Sequence, residues 1–393
     1  MSSTSALLRT PDTDEALSVI LKLVGETCNI NCYYCYEKRK PYEGGTARMS
    51  LDSVERLLNI AGGRPLGMEL HGGEPLLYGR KPTRDLLRML RSYEGEITLS
   101  VQTNATLLTG EWLDLFVEEW PTIDIGISLD GDDEANRNRV DYRDRSTAAR
   151  VHRALRLVEE RGIQVGVIST VTRDVCSRPA ETMDFIAGFE AVRVLKFSPC
   201  FDFNVATKVF PVGNRTSLLQ LNPTGRGHAG WAITPLEFAE FLIRSYDHWR
   251  DAGHYRQLLV EPFVSVLRRL AGRSTRFCHF TDQKCAFVLT LYPDGKLGSC
   301  DELGMGDAMF GSVDELSSLS EVTALSMNEG LRSDLEKLLE RCAACSYQST
   351  CGGGCLATRR RYQGSAHYEE YCESRIRIID HITADIRNAE VQA

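Results

Sequence analysis

Residues 18–36, SVILKLVGETCNINCYYCY, decide how the rest of the chain is read. An apolar run long enough for one strand ends in a loop with three cysteines, Cys28, Cys32 and Cys35, separated by three and then two residues. Thiolates at that spacing can wrap a compact loop around one cubane and leave its fourth iron without a protein ligand. Most iron–sulfur motifs supply four cysteines, and an open coordination position separates a catalytic metal site from a closed one. Zinc also accepts thiolates, but a structural zinc site takes four ligands, and no fourth is close.

Outward from this loop, the first half of the chain alternates strand-like and helix-like stretches. Strands are expected over 18–24, 68–71, 97–103, 123–129, 164–171 and 192–198. Helices are expected over 51–61, 83–93, 111–119, 147–161 and 180–188, with Ser50 and Thr109 as N-caps. Apolar strands alternating with helices read as parallel βαβ units with both sheet faces covered. Six such units make an α/β fold, a partial (β/α)6 TIM barrel left open rather than closed at eight.

The expected organisation is an N-terminal extension over 1–17, too short for a separate peptide-binding domain, and then the barrel over 18–234. Residues 203–233 are rich in Gly, Asn, Thr and Pro and too long for an ordinary connection. Such a segment is either a substrate-contacting loop or carries no fixed structure. Helical stretches at 235–250 and 260–270 form a linker over 235–274, and 275–393 make a small cysteine-rich α+β domain ending in a helix.

A chain of 393 residues can bury one large core plus a smaller one. A net charge of −8 gives no reason to expect nucleic acid or an anionic membrane as partner. No apolar run reaches the roughly 20 residues of a membrane helix, and the N-terminus lacks a secretory apolar region, so a cytoplasmic location is expected. Of the 13 cysteines, three lie within 28–35 and eight between 278 and 372. Clustered cysteines in a reducing compartment point to metal or catalysis rather than disulfides. Cys176 and Cys200 stand alone beside strand-like runs and read as small buried hydrophobes.

Cys28, Cys32 and Cys35 resemble the CxxxCxxC loop of the radical SAM superfamily, placed as usual after the first barrel strand. The resemblance implies that the open iron of a [4Fe–4S] cluster binds S-adenosylmethionine, whose cleavage yields a hydrogen-abstracting 5′-deoxyadenosyl radical. Gly72-Gly73-Glu74-Pro75 is similar to the family's GGEP motif: the glycines would let backbone approach the methionine ammonium, and Glu74 could accept from it. Ile127-Ser128-Leu129-Asp130-Gly131 resembles the ISxDG segment, which implies Ser128 and Asp130 near the adenosyl ribose and carboxylate. Gln102-Thr103-Asn104 is similar to the stretch lining the same mouth, and Tyr36 is placed to pack on the adenine. These motifs fall at strand C-termini, where barrel enzymes build their sites.

In the C-terminal region, Cys278 precedes Cys285-x9-Gly295-x4-Cys300, then Cys342-x2-Cys345-x5-Cys351-x3-Cys355, then Cys372. Eight thiolates suffice for two four-cysteine clusters, and the pattern resembles the SPASM extension of radical enzymes that modify peptides and proteins. By that similarity Cys278, Cys285, Cys300 and Cys355 hold an inner auxiliary [4Fe–4S] cluster, and Cys342, Cys345, Cys351 and Cys372 an outer one, making three clusters in all. Spacing alone does not assign the pairs, and Cys342-x2-Cys345 by itself would read as a zinc site. Gly295 turns a hairpin, and Gly352-Gly353-Gly354 lets the chain fold tightly. Asp301 follows Cys300 directly, as an Asp does in enzymes that oxidise a Cys or Ser of sulfatases to formylglycine. It is a candidate catalytic base, or an ordinary exposed acid.

Two expectations share this chemistry. The first is a maturase forming an oxidative cross-link, a cyclophane or thioether, in a ribosomally made precursor peptide. The alternative is an anaerobic sulfatase-maturating enzyme. Asp301 speaks for the alternative, and His71, where those enzymes more often show Gln, speaks against it. Epimerisation needs a hydrogen donor, which Cys176 or Cys200 could supply only if exposed. A non-catalytic iron–sulfur electron carrier is the reading of another class, and the intact motifs argue against it. Implied partners are a peptide or protein substrate and a reductant such as flavodoxin or ferredoxin.

Overall fold

The computed structural model describes residues 11–12, 14–37, 48–201, 207–209, 218–220, 230–281, 284–303, 309–319, 321 and 329–392. Its strands are β1 (Leu17–Lys22), β2 (Leu66–His71), β3 (Ile97–Thr103), β4 (Asp124–Ser128), β5 (Val165–Val171), β6 (Val192–Pro199), β7 (Thr207–Val209), β8 (Leu218–Gln220), β9 (Leu259–Glu261), β10 (Val288–Leu291), β11 (Lys296–Gly298) and β12 (Met309–Ser312). Each of β1 to β5 is followed by a helix before the next strand, and β6 is followed by β7 and β8 before helix Pro235–Asp251.

The helices form where the apolar period says they should. Helix Leu51–Ala61 buries Val54, Leu57, Leu58 and Ala61, one face at helical spacing. Ser50 caps it by accepting from the Asp52 N–H, and Gly62 closes it in the left-handed conformation at φ 59°. Helix Arg80–Arg91 buries Thr83, Leu86, Leu87 and Leu90 and starts three residues earlier than its apolar pattern. Thr109 precedes helix Gly110–Glu119 but makes no side-chain cap.

The chain divides into two compact units, each discontinuous in sequence. The first comprises Met1–Asn29, Lys40–Ile127 and Asp282–Arg341, and the second Ile30–Arg39, Ser128–Thr281 and Cys342–Ala393. In the first unit β1, β2, β3 and β4 run parallel, and β10 pairs parallel with the other side of β1, Ser18 opposite Val288. Strands β11 and β12 extend that edge antiparallel. Gly295, at φ 78°, turns the β10–β11 hairpin, as its residue type requires.

In the second unit β5, β6 and β9 run parallel. Strand β9 overlaps the start of the stretch expected to be helix over 260–270: it has only three residues before Pro262, and the helix runs Phe263–Leu270. A strand that short carries no readable period. Helix Pro235–Asp251 begins with a full capping box: the Glu237 N–H donates to Thr234 Oγ1 at 3.1 Å and the Thr234 N–H to Glu237 Oε2 at 2.7 Å. It packs on the long helix His367–Gln392, where Tyr246 donates to Asp385 at 2.9 Å. Of the 203–233 segment, β7 and β8 pair antiparallel, and 202–206, 210–217 and 221–229 lie outside the described residues.

Candidate active site and cluster-binding regions

The first unit carries Cys28, the GGEP turn, the end of β3 and the hairpin that bears Cys285, Cys300 and Asp301. The Gly73 N–H donates to Gly25 O at 2.7 Å and the Glu74 N–H to Thr27 O at 2.9 Å. A Cβ on Gly73 would collide with the carbonyls of Thr27 and Glu26. The second glycine thus lets this turn lie against the cysteine loop itself, a closer constraint than the expected approach to methionine.

Glu74 is fully buried. Its Oε1 accepts from Thr103 Oγ1 at 2.7 Å and Leu76 N at 3.0 Å, and its Oε2 from Asn104 N at 2.8 Å. The carboxylate expected to meet the methionine ammonium ties the GGEP turn to the end of β3. Asn104 in turn donates to Asn29 Oδ1 at 2.9 Å and lies 3.6 Å from Cys28 Sγ. Gln102 and Asn104 stand at the end of β3, and Gly126 on β4 leaves room for the Gln102 amide.

At the ends of β1 and β2 lies a group that sequence reasoning missed. Lys22 is 1% exposed, and its Nζ donates to Asp301 Oδ2 at 2.7 Å, a buried ion pair. The same Nζ is 3.1 Å from His71 Nδ1, and His71 sits opposite Lys22 in the strand register. A lone lysine in the apolar run SVILKLV was the available signal, because lysine is almost never fully buried unless paired. The hairpin register, Thr290 opposite Gly298, sets Cys285 just before β10 and Cys300 just after β11, at the same end.

The second unit carries Cys32, Cys35, Tyr36, Ser128 and Asp130. Asp130 is fully buried: Tyr34 OH donates to its Oδ2 at 2.5 Å and the Thr170 N–H to its Oδ1 at 3.0 Å. Arg139 Nη1 donates to the Tyr34 oxygen at 2.9 Å and stands 4.0 Å from Asp130 Oδ1. Burial pushes the Asp130 carboxyl up, against the pull of Arg139 and the Tyr34 hydroxyl. Asp130 therefore anchors Tyr34, between the second and third cysteines. Neither Tyr34 nor Arg139 was singled out from sequence, because their meeting with Asp130 is purely tertiary.

Cys342, Cys345, Cys351 and Cys372 all belong to the second unit, and burial pushes the Cys342 thiol up against the pull of Arg359, with the other three sulfurs adding to the rise. Arg359 and Arg375, both buried, point their guanidinium groups at these sulfurs. A single tetrahedral zinc, with sulfur at 2.3 Å, would hold thiolates about 3.8 Å apart. Among the described residues no cysteine joins a group of three ligand atoms within 4.8 Å of one another. The inner set falls on both units, Cys278 and Cys355 on the second and Cys285 and Cys300 on the first.

Cys200 is buried, as read from sequence, and Cys176 is half-buried with its thiol donating to Glu237 O at 3.6 Å. Burial pushes that thiol up to about 11. No cysteine forms a disulfide, and no helix among the described residues is long and apolar enough to cross a membrane.

Residues 23–186 match the model of the radical SAM superfamily. The chain carries a radical SAM domain. The chain is 25% identical over 380 residues to the serine-type anaerobic sulfatase-maturating enzyme of Klebsiella aerogenes, covering 94% of this chain and 86% of that protein. It is 24% identical to the cysteine-type anaerobic sulfatase-maturating enzyme of Clostridium perfringens, covering 91% and 94%. Its fold is similar to that of anSMEcpe solved with bound AdoMet, at a TM-score of 0.76 and 21% identity over 95% of this chain and 98% of that one. A structure of anSMEcpe with AdoMet and the Cp18Cys peptide gives 0.75 over 96% and 100%.

Proposed function

We propose that this radical SAM enzyme oxidises a cysteine or serine side chain within a peptide segment of its substrate, the chemistry of the sulfatase-maturating enzymes it resembles over nearly its whole length. The observation that carries the reading is Asp301, directly after Cys300, held by Lys22 at 2.7 Å in a buried pair. When bound, S-adenosylmethionine and the three [4Fe–4S] clusters supply the 5′-deoxyadenosyl radical and the acceptor for the remaining electron. Oxidation of a CH2–OH or CH2–SH group removes one hydrogen as an atom and one as a proton, together with one electron; the CH=S group from cysteine then takes up water and releases H2S to give the aldehyde. Asp301 takes the proton at its carboxylate, and Lys22 orients that carboxylate beforehand. Glu74, Asn104 and Asp130 hold the loop segments around Cys28 and Tyr34. A cytoplasmic setting suits cysteines that form no disulfide, with a flavodoxin- or ferredoxin-class protein as electron donor.

A second reading, an oxidative cross-link in a precursor peptide, is kept by His71. This residue joins the Lys22–Asp301 pair where sulfatase-maturating enzymes more often carry Gln. Anaerobic co-expression with a sulfatase, or with a short peptide encoded nearby, followed by hydrazide trapping and tandem mass spectrometry, separates the two. A hydrazide adduct on one Cys or Ser is expected. Loss of two hydrogens with suppressed fragmentation between two residues, and no adduct, would establish the cross-link instead. Asp301→Asn should still form 5′-deoxyadenosine while the aldehyde falls about 100-fold, in the range of a lost general base. Equal loss of both would remove Asp301 from that role.

A further inference from the structure

We propose that Arg359 and Arg375 raise the reduction potential of the outer auxiliary cluster, making it the readier electron acceptor. The inference rests on Cys342, Cys345, Cys351 and Cys372 holding one cluster. Arg359 is 2% exposed and Arg375 is 7% exposed. Arg359 Nη1 lies 3.3 Å from Cys372 Sγ and Nη2 lies 3.8 Å from Cys342 Sγ, while its Nε donates to Gly353 O. Arg375 Nε lies 3.0 Å from Cys351 Sγ, and its Nη2 donates to Cys351 O at 2.7 Å and His279 O at 2.8 Å. Three of the four sulfurs therefore face a guanidinium N–H.

Neither arginine hydrogen-bonds a carboxylate among the described residues. Aromatic rings wall them in instead, Arg375 over Phe280 at 4.1 Å and Arg359 over Tyr371 at 5.6 Å. Two permanent cations out of water need counter-charge, and the thiolates are what the structure sets against them. Four thiolates around an oxidised cubane leave a net charge of about −2, which the two guanidinium groups offset. Reduction adds one more negative charge. Cations and N–H donors at the sulfurs favour that state, and hydrogen bonds and net charge are what tune such potentials.

The glycine run serves the same geometry. Gly352, Gly353 and Gly354 are all left-handed, at φ 60°, 78° and 74°. A Cβ on Gly352 would stand 2.7 Å from Phe280 O. The chain can therefore turn the Gly353 carbonyl toward Arg359 only without side chains there.

The test is an EPR-monitored redox titration of the anaerobically reconstituted enzyme, with iron counted in every sample. Cys345→Ala assigns the outer signal by its loss and by the accompanying loss of iron. If that variant keeps all its iron and all signals, the cluster assignment itself fails. Arg359→Gln and Arg375→Gln should each lower the reduced-to-oxidised ratio of that signal at least tenfold at fixed potential, 59 mV for one electron. The other two clusters should be unmoved. Arg359→Lys and Arg375→Lys keep the charge, bind the cluster where the Gln variants fail to, and should shift the ratio less. An unchanged ratio in the variants that retain the cluster would overturn the proposal.

Discussion

Two arginine settings in the second unit differ in what balances the charge. Around Tyr34, buried Arg139 stands beside the carboxylate of Asp130, and the Tyr34 hydroxyl bridges them. Around the Cys342 set, Arg359 and Arg375 have thiols and aromatic faces instead. The first arrangement is electrically complete in the bare polypeptide. The second is complete only when the sulfurs are thiolates, which is the state a metal cluster enforces. The segment around Tyr34 is thus braced by protein alone, whereas on the proposed cluster assignment the C-terminal nest is balanced only with its metal bound.

Removing iron should break the comparison most visibly. With thiols protonated, Arg359 and Arg375 become uncompensated buried charges, which cost several kcal/mol each. The stripped protein should gain rapid hydrogen exchange over helices Leu356–Tyr362 and His367–Gln392, while β5 and the segment around Asp130 keep their protection. Equal protection in both states would show that the thiol nest needs no metal to balance it.

Asp130→Ala strikes the other side. It strands Arg139 and Tyr34 in the interior, and breaking a buried pair of this kind costs about 3–5 kcal/mol. Urea unfolding of the loaded enzyme should show that loss. A change below about 1 kcal/mol would mean that water, not Asp130, satisfies the pair.

The smallest effect belongs to Asp141, whose carboxylate accepts from Arg145 Nε at 2.9 Å and the Arg143 N–H at 2.8 Å. The Arg145 side chain, followed by that backbone bond, holds its carboxyl at about 2, below the usual 3.8. A depressed carboxyl stabilises the fold above its ordinary range and loses that contribution as pH falls through about 2. An NMR titration of the carboxyl carbon that read 3.8 or higher would dissolve the Arg145 contact.

What was legible in the sequence follows the same divide between local and tertiary. The β/α alternation, the cysteine loop after β1, the Ser50 cap and the Gly295 hairpin are written in short stretches and are found where those stretches place them. The partners were not legible. Arg359 sits in LATRRRY among arginines whose burial no period reveals, and Lys22 meets Asp301 across 279 positions. The bonds of Glu74 to Thr103 and Asn104 were not legible either, since they join separate strand ends. Three-residue β9 escaped because a period needs more residues than it has.

The pairing of β10 with β1 bears on how the protein is made. Strand β1 emerges early in synthesis, yet its outer edge is covered only by a strand about 270 residues later. At roughly 5–20 residues per second, that edge waits from about a quarter of a minute to a minute on the ribosome. A bare strand edge invites pairing with other chains, so the nascent barrel calls for shielding by a chaperone during that interval. The edge of β1 is thus completed by the hairpin between Cys285 and Cys300.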